Sequence, residues 1–371
     1  MPLTDRLRPE GPKKLLALDG GGIRGLITIE VLSAVEDALR KRLRRGESLV
    51  LADYFDYVAG TSTGAIIAAC IALGMSVATI RQFYQDNGKT MFDKASLIKR
   101  FRYKYEDDRL AAMLQQVFGA DTTLGSDKLR TLLMVVMRNA TSDSPWPVSN
   151  NPGAKYNDLA RDDSNLRLPL WQLVRASTAA PVYFPPETVK LGKNTFLFVD
   201  GGVTPYNNPA FVLFLMATLE AYRLNWPAGE DKVLVVSIGT GTNPNANLDL
   251  APSDMNLLYN AGSIPSALMF ASLNEQDMLC RVFGRCRVGD ALDREIGTLR
   301  EGKGPAEPRL FTYMRYNAEL SRQGLDSLGL KDIEPHDVQQ LDSVEHIEAL
   351  QRVGEALAAR VVNIQDFAGF V

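Results

Sequence analysis

Histidine is scarce in this sequence, since the 371 residues include only two, His336 and His346. A serine nucleophile needs an adjacent base, which is usually histidine, so this sequence has only two candidate histidine bases. Cysteine is scarce too, and the three residues Cys70, Cys280 and Cys286 are too few and odd in number for a disulfide framework. Cys280 and Cys286 have no second pair of ligand residues elsewhere, so we expect no zinc site.

Long apolar runs and a strong net charge are also missing. No run reaches the roughly 18 uncharged apolar residues of a membrane-spanning helix, and residues 1–14 lack the apolar segment of a signal peptide. The net charge of −3 gives no reason to expect nucleic acid as a partner. With 46% hydrophobic and 23% charged residues, the composition is typical of a globular protein. We expect a cytoplasmic protein without a transmembrane segment.

Strand and helix patterns alternate along most of the chain. Apolar, β-branched runs predict strands at 13–18, 54–59, 131–137, 196–199, 232–238 and 309–316. Apolar residues at helical spacing predict helices at 29–43, 65–73, 76–91, 106–118, 170–179, 208–222, 265–283 and 337–360. Residues 141–157, rich in Ser, Pro, Asn and Gly, predict an exposed loop. The alternation predicts an α/β fold with a mostly parallel sheet covered by helices.

The chain contains no clear linker and no internal repeat. We therefore expect one domain over residues 1–371. Its chemical motifs lie within about residues 13–245, and residues 250–371 form a C-terminal extension whose role the sequence does not reveal.

The sequence Gly60-Thr61-Ser62-Thr63-Gly64 lies between a predicted strand and a predicted helix. A G-x-S-x-G pattern in this context is typical of a nucleophile elbow, in which the glycines permit a strained turn that presents the serine hydroxyl. Ser62 is therefore the candidate nucleophile.

A second glycine-rich turn, Gly20-Gly21-Gly22-Ile23-Arg24-Gly25, also joins a strand to a helix. It fits the dinucleotide fingerprint, but that site also needs an acidic residue at the end of the next strand. Glu36 and Asp37 lie inside the predicted helix instead. The alternatives are a plain turn or an anion cradle of backbone N–H groups at a helix N-terminus. Beside a serine nucleophile, such a cradle is an oxyanion hole.

The base for Ser62 is the remaining question. His346 lies off the apolar stripe of its predicted helix, and His336 follows Pro335 at a helix start, so a surface role fits both residues. His336 is also a candidate for the histidine of a catalytic triad, because α/β-hydrolases place that histidine late in the chain. Asp200, in Asp200-Gly201-Gly202, directly follows a short apolar strand, and the glycines allow close approach. We therefore interpret Ser62 and Asp200 as a catalytic dyad in which the carboxylate is the general base.

These motifs, in this order, resemble the patatin-like phospholipase family. The resemblance rests on 19–25, 60–64 and 200–202, together with 176–181 (Ala-Ser-Thr-Ala-Ala-Pro) and 237–241 (Ser-Ile-Gly-Thr-Gly). It implies a three-layer α/β/α sandwich, with Ser62 as nucleophile and Asp200 as base. It implies oxyanion-hole residues among Gly20, Gly21, Gly22, Arg24, Gly25 and Thr63. It also implies hydrolysis of lipid acyl esters without metal or cofactor.

The predicted function is therefore that of a serine acyl hydrolase, a phospholipase A or related lipid acyl hydrolase, acting on phospholipid or acyl-lipid substrates at a membrane surface. The alternative is a nucleotide-binding module that uses the first glycine loop, or a hydrolase gated by a nucleotide through the C-terminal extension. Alternating basic and aromatic residues at Lys99–Tyr105 fit either an interfacial lipid-binding patch or a solvated loop.

Overall fold

The computed structural model describes residues 3–92, 109–181, 184–243, 257–301 and 304–371, and the side chains of 257–266 are left out of the description. Nine strands are found in these residues. They are β1 (Lys13–Leu18), β2 (Tyr57–Thr61), β3 (Leu132–Asn139), β4 (Ser144–Ser149), β5 (Glu187–Leu191), β6 (Asn194–Asp200), β7 (Val233–Ile238), β8 (Arg285–Val288) and β9 (Thr312–Tyr316).

The described α-helices are α1 (Leu3–Arg6), α2 (Gly25–Leu43), α3 (Leu51–Tyr54), α4 (Thr63–Ala72), α5 (Val77–Phe92), α6 (Arg109–Phe118), α7 (Leu170–Ser177), α8 (Ala210–Thr218), α9 (Leu257–Phe283), α10 (Arg322–Ser327), α11 (Pro335–Gln339) and α12 (Ile347–Val361). Short 3-10 turns, including Gly22–Arg24 and Gly201–Val203, connect several of them. No helix in the described ranges has both the length and the apolar character needed to cross a bilayer.

All nine strands form one sheet, in the order β5-β6-β3-β2-β1-β7-β9-β8, with β4 paired to β3. The six strands β3, β2, β1, β7, β9 and β8 run parallel to one another. β4 and β6 are antiparallel to β3, and β5 is antiparallel to β6. β8 and β9 come from the part of the chain beyond residue 250, so that part contributes two strands to the same sheet.

Alternate side chains of the central strands enter two separate cores. In β1, Leu16 and Leu18 belong to one apolar cluster, and Leu15 and Ala17 belong to the other. The first cluster also includes side chains of α2, α4, α5 and α12, and the second includes side chains of α8. Because side chains alternate between the two faces of a strand, this division places helices on both sides of the sheet. The predicted three-layer α/β/α sandwich is confirmed.

Two expectations from the sequence are wrong in detail. Residues 141–157 are not simply an exposed loop, because β4 pairs with β3 and Asn150 and Asn151 are buried. Pairing to a central strand outweighs the low strand propensity of this Pro- and Ser-rich segment. The predicted helix at 337–360 is instead α11, a 3-10 turn at Val344–His346, and α12.

Candidate active site

Ser62 lies at the sharp turn between β2 and α4. Its backbone has φ 55° and ψ −125°, a region that costs free energy for any residue with a side chain. A Cβ on Gly60 would lie 2.0 Å from the Gly64 carbonyl oxygen, so the turn requires a glycine at this position. The expected strand, serine turn and helix are all present.

Asp200 reaches Ser62 because of the register of three strands. Thr61 pairs with Val136 across β2 and β3, and the residue after Val136 pairs with Asp200 across β3 and β6. The end of β6 therefore lies level with the turn, and the Ser62 hydroxyl donates a 2.6 Å hydrogen bond to Asp200 Oδ2. A Cβ on Gly201 would lie 2.3 Å from the Val136 carbonyl oxygen, so glycine lets the chain pass at this point.

Asp200 is buried, with only 5% of the residue exposed. Burial raises its pKa to about 6, against the opposing effects of the hydrogen bonds from the Ser62 hydroxyl and the Gly202 N–H. The Gly202 N–H donates to Oδ1 at 2.6 Å, which leaves Oδ2 directed at Ser62. The carboxylate is thus a stronger base than a solvated aspartate, and it is held in place by backbone.

The glycine loop lies beside this pair. A Cβ built on Gly20 would lie 3.2 Å from Ser62 Cβ, so the loop approaches the serine closely only because Gly20 has no side chain. The Gly20 N–H donates to the Asn207 carbonyl oxygen at 3.2 Å. Its own carbonyl oxygen accepts a 2.8 Å hydrogen bond from the Thr240 hydroxyl, and Thr240 also fills the space next to Gly21.

The far side of the loop rests on the C-terminal part of the chain. Gly22 has φ +59°, and a Cβ there would lie 2.2 Å from the Leu341 carbonyl oxygen. That oxygen accepts a 3.0 Å hydrogen bond from the Ile23 N–H. The Arg24 guanidinium donates to the Gln339 carbonyl oxygen at 3.0 Å, and burial lowers the pKa of Arg24 to about 10 despite the attraction of Asp19.

Backbone N–H groups around Ser62 divide into two sets. Those of Gly20, Arg24 and Gly25 donate to carbonyl oxygens of Asn207, Gly21 and the 22–23 turn, respectively. Within the described parts of the chain, the N–H groups of Gly21, Gly22 and Thr63 donate to no protein acceptor. Thr63 is also the first residue of α4, where the helix dipole favours negative charge. An anion that develops beside Ser62 would find free donors here.

Ser177, at the end of α7, is hydrogen-bonded to the backbone of the turn at Ser62. Its hydroxyl accepts the Ser62 N–H at 2.9 Å and donates to the Val136 carbonyl oxygen at 2.6 Å. Ser177 is fully buried. Sequence reasoning did not assign a role to this residue, although it lies in the segment 176–181 that contributed to the family resemblance.

The two histidines lie together at the surface. His336 Nε2 is 2.9 Å from Asp337 Oδ1, and His346 Nε2 is 3.4 Å from the same oxygen. Their side chains are 74% and 42% exposed, respectively. The carboxylate bonded to the Ser62 hydroxyl is that of Asp200, and each histidine is in contact with Asp337 instead.

Two further sequence hypotheses concern other parts of the chain. The basic and aromatic segment Lys99–Tyr105 lies outside the described residues. Cys280 and Cys286 are buried free thiols. No group of three or more His, Cys, Asp or Glu side chains in the described ranges is arranged to hold a metal ion.

A family model described as patatin-like phospholipase matches residues 16–214, which include the glycine loop, Ser62 and Asp200. The chain is 32% identical over 251 residues to an intracellular phospholipase A2 of Caenorhabditis elegans, and this alignment covers 65% of this chain and 21% of that protein. It is 28% identical over 232 residues to a cGAMP-activated phospholipase of Escherichia coli (strain TW11681), covering 61% of this chain and 62% of that protein. It is also 28% identical over 332 residues to patatin-like protein 1 of Arabidopsis thaliana, covering 76% and 77%. The chain thus spans about a fifth of the first relative and less than two thirds of the second.

Proposed function

The chain belongs to the patatin-like phospholipase family, and from this premise we propose that it is a serine acyl hydrolase that cleaves fatty-acyl esters of phospholipids with Ser62 and Asp200. The observation that carries the proposal is the 2.6 Å hydrogen bond from the Ser62 hydroxyl to Asp200 Oδ2, at a strained strand-to-helix turn. The family relationship supports the lipid substrate class, and the local geometry supports the roles of the two residues.

In the acylation step, Ser62 Oγ attacks the ester carbonyl carbon while Asp200 Oδ2 accepts the hydroxyl proton. The carbonyl oxygen becomes an oxyanion, for which the free N–H groups of Gly21, Gly22 and Thr63 are the proposed donors. Removal of one oxyanion-hole donor typically lowers kcat about 10²–10³-fold. The intermediate then collapses, and the leaving lysophospholipid alkoxide takes the proton from Asp200.

In the deacylation step, water attacks the acyl-Ser62 ester and Asp200 accepts a proton from that water. The second tetrahedral intermediate releases a fatty acid, and Ser62 Oγ regains its proton. Asp200 suits both steps because its pKa of about 6 lies close to neutral pH, where a base that is mostly ionised still has high proton affinity.

A nucleotide-binding role for the glycine loop is not favoured. The loop has a glycine packed against the Ser62 side chain, and its family is one of phospholipases. We also propose that the protein works at a membrane surface, because its proposed substrate is a membrane lipid. A cytoplasmic location is proposed because its relatives include an intracellular phospholipase A2. No observation here favours a second catalytic function.

The test is hydrolysis of mixed phospholipid vesicles by the purified protein, with released fatty acid and lysophospholipid measured by mass spectrometry. We expect Ser62→Ala and Asp200→Asn to abolish fatty-acid release. The double variant His336→Ala/His346→Ala is the matched control and is expected to retain activity. A fluorophosphonate probe should label wild-type protein at Ser62 and leave Ser62→Ala unlabelled.

Two outcomes would contradict the proposal. A folded His336→Ala/His346→Ala variant without activity would show that the site depends on a histidine, as in a catalytic triad. Fatty-acid release that persists at the wild-type rate in Ser62→Ala would place the chemistry elsewhere.

A further inference from the structure

Tyr84, on α5, is hydrogen-bonded to the first residue of the helix that follows Ser62. Tyr84 is fully buried, and its hydroxyl oxygen lies 2.5 Å from Thr63 Oγ1 and 3.1 Å from the Thr63 carbonyl oxygen. One arrangement of protons satisfies both contacts, because the Tyr84 hydroxyl can donate to the carbonyl oxygen and accept from the Thr63 hydroxyl. Burial raises the pKa of Tyr84 above its ordinary value, so this hydroxyl keeps its proton at neutral pH. Tyr84 thus holds both the side chain and the carbonyl group of Thr63.

The same two side chains contact the end of the glycine loop. A Cβ built on Gly25 would lie 2.5 Å from Thr63 Oγ1 and 3.2 Å from Tyr84 Cε1. One turn further along α5, a Cβ built on Gly88 would lie 2.8 Å from Ile23 Cδ1. Helix α5 therefore packs against the glycine loop as well as against the start of α4. Because Gly25 has no side chain, Thr63 and Tyr84 fit directly against the loop.

This packing matters because the proposed oxyanion donors come from two different parts of the chain. Gly21 and Gly22 belong to the glycine loop, whereas Thr63 is the first residue of α4. Donors from two segments can stabilise one oxygen only if the distance between the segments is fixed. The Thr63 side chain lies between Gly25 and the Tyr84 hydroxyl, so these two residues set its position relative to the loop.

A purely structural contact at this place would not need two hydroxyl groups. Valine has the shape of threonine and phenylalanine has nearly the shape of tyrosine. A buried hydrogen-bonded pair can be replaced by apolar groups of the same shape at little cost in stability. A hydrogen bond adds direction, because it weakens steeply when its angle becomes poor. The hydroxyl pair therefore restricts the orientation of Thr63 more than apolar packing would.

We propose that Tyr84 is a positioning residue for the oxyanion hole, which holds Thr63 so that its N–H and those of Gly21 and Gly22 converge on one oxygen atom. This inference rests on the proposed function of Ser62 and extends it to a buried residue of α5. Tyr84 acts through Thr63, and its effect is realised when the ester carbonyl oxygen becomes charged.

The test compares Tyr84→Phe, Thr63→Val and the double variant with wild type on mixed phospholipid vesicles. We expect each single substitution to lower kcat about 10- to 100-fold, since a misplacement of about 1 Å can cost that much. KM should change less than about threefold, because the substrate carbonyl gains its charge only in the transition state. Both substitutions break the same hydrogen bond, so the double variant should be no slower than the slower single variant.

Two ligands report on the oxyanion hole without turnover. A trifluoromethyl ketone lipid analogue forms a charged tetrahedral adduct with a serine, and its affinity for Tyr84→Phe should fall by the same factor as kcat. A non-hydrolysable ether phospholipid develops no such charge, and its affinity should stay unchanged.

Thermal stability separates positioning from folding. Tyr84→Phe leaves the buried Thr63 hydroxyl without its partner, so this variant should melt below wild type. The double variant removes that hydroxyl and should regain stability, yet it should stay as slow as Tyr84→Phe. A merely structural role predicts that kcat recovers together with the melting temperature.

Tyr57→Phe is the matched control. Tyr57 is also fully buried, and its hydroxyl donates to Ser149 Oγ at 2.6 Å. It begins β2, whereas Ser62 follows the other end of that strand. We expect this variant to melt below wild type with kcat unchanged.

The inference is overturned if folded Tyr84→Phe keeps kcat within threefold of wild type. It is also overturned if the double variant recovers kcat together with stability, or if kcat falls while the affinity for the trifluoromethyl ketone does not. Fatty-acid release at the wild-type rate in Ser62→Ala would instead overturn the proposed function itself, so the two failures are distinguishable.

Discussion

Arg315 and Asp19 form a buried ion pair with two hydrogen bonds, from Nη1 to Oδ1 at 2.9 Å and from Nη2 to Oδ2 at 2.5 Å. The Arg315 Nη1 group also donates to the Ser237 hydroxyl at 2.8 Å. Asp19 immediately precedes Gly20, whereas Arg315 is on β9. A residue from beyond position 250 thus anchors the start of the glycine loop, as Leu341 and Gln339 support its far side.

Breaking this pair should destabilise the protein and impair the site. Removal of one partner from a buried ion pair leaves an uncompensated charge and costs about 3–5 kcal/mol. We expect Arg315→Met to lose about that much in urea unfolding and to hydrolyse lipid more slowly at temperatures where it remains folded. The control is Arg352→Ala, which breaks an exposed pair with Asp332 and should cost at most about 1 kcal/mol. Equal losses in the two variants would contradict the anchoring role.

The pH dependence of catalysis should report the ionisation of Asp200. The base acts only when deprotonated, and its pKa is raised to about 6 by burial. We therefore expect kcat/KM to fall about tenfold per pH unit below pH 6 and to level off above it. The double variant His336→Ala/His346→Ala should show the same acidic limb. A limb that vanishes in that variant would identify histidine as the titrating group.

Asp200→Asn should be inactive yet more stable than wild type at high pH. The folded-state pKa of about 6 exceeds the ordinary value of 3.8, so the folded state binds more protons than the unfolded state between these values. The contribution of Asp200 to the free energy of unfolding is therefore fully present below pH 3.8. It is lost as the pH rises through 6, which lowers the stability of the wild-type protein by about 3 kcal/mol. Asparagine carries no charge and avoids this loss.

The measurement is the free energy of unfolding of both proteins at pH 4 and pH 8. We expect the gap between the variant and wild type to be wide at pH 8 and much smaller at pH 4. A gap that does not depend on pH would show that the Asp200 pKa is not raised in the folded protein.

Ser177→Ala tests the support beneath the elbow. The substitution leaves the Ser62 N–H and the Val136 carbonyl oxygen without their shared partner. We expect a loss of about 1–3 kcal/mol in stability and a fall in kcat of about tenfold, because Ser62 can leave its strained conformation. Ser272→Ala, which removes an exposed helix hydroxyl bonded to the Leu268 carbonyl oxygen, is the control. A variant that is less stable but has wild-type kcat would limit Ser177 to a structural role.

The sequence alone determined the features that depend on neighbouring residues. The strand before Asp19, the turn at Ser62 and the strand that ends at Asp200 each follow from local apolar patterns and from glycines at tight turns. Those patterns predicted a mostly parallel sheet covered by helices, the family resemblance implied the three-layer sandwich, and this fold is confirmed. The order of the motifs predicted the Ser62–Asp200 dyad and the oxyanion loop, which stay predictions for the variants above. The expectation of a single domain also stays a prediction, supported by a sheet that β8 and β9 share.

Only the tertiary structure decided how those local pieces are held together. β4 forms because β3 offers a partner edge, although its own residues favour a loop. Arg315 pairs with Asp19 from 296 residues away, and nothing in the residues around either one indicates the other. Ser177 and Asn207 likewise acquire their positions from strand register and from backbone contacts across the sheet edge. Local propensity depends on adjacent residues, whereas packing determines the partners of buried polar groups. The sequence could therefore predict the Ser62–Asp200 dyad but not the residues that support it.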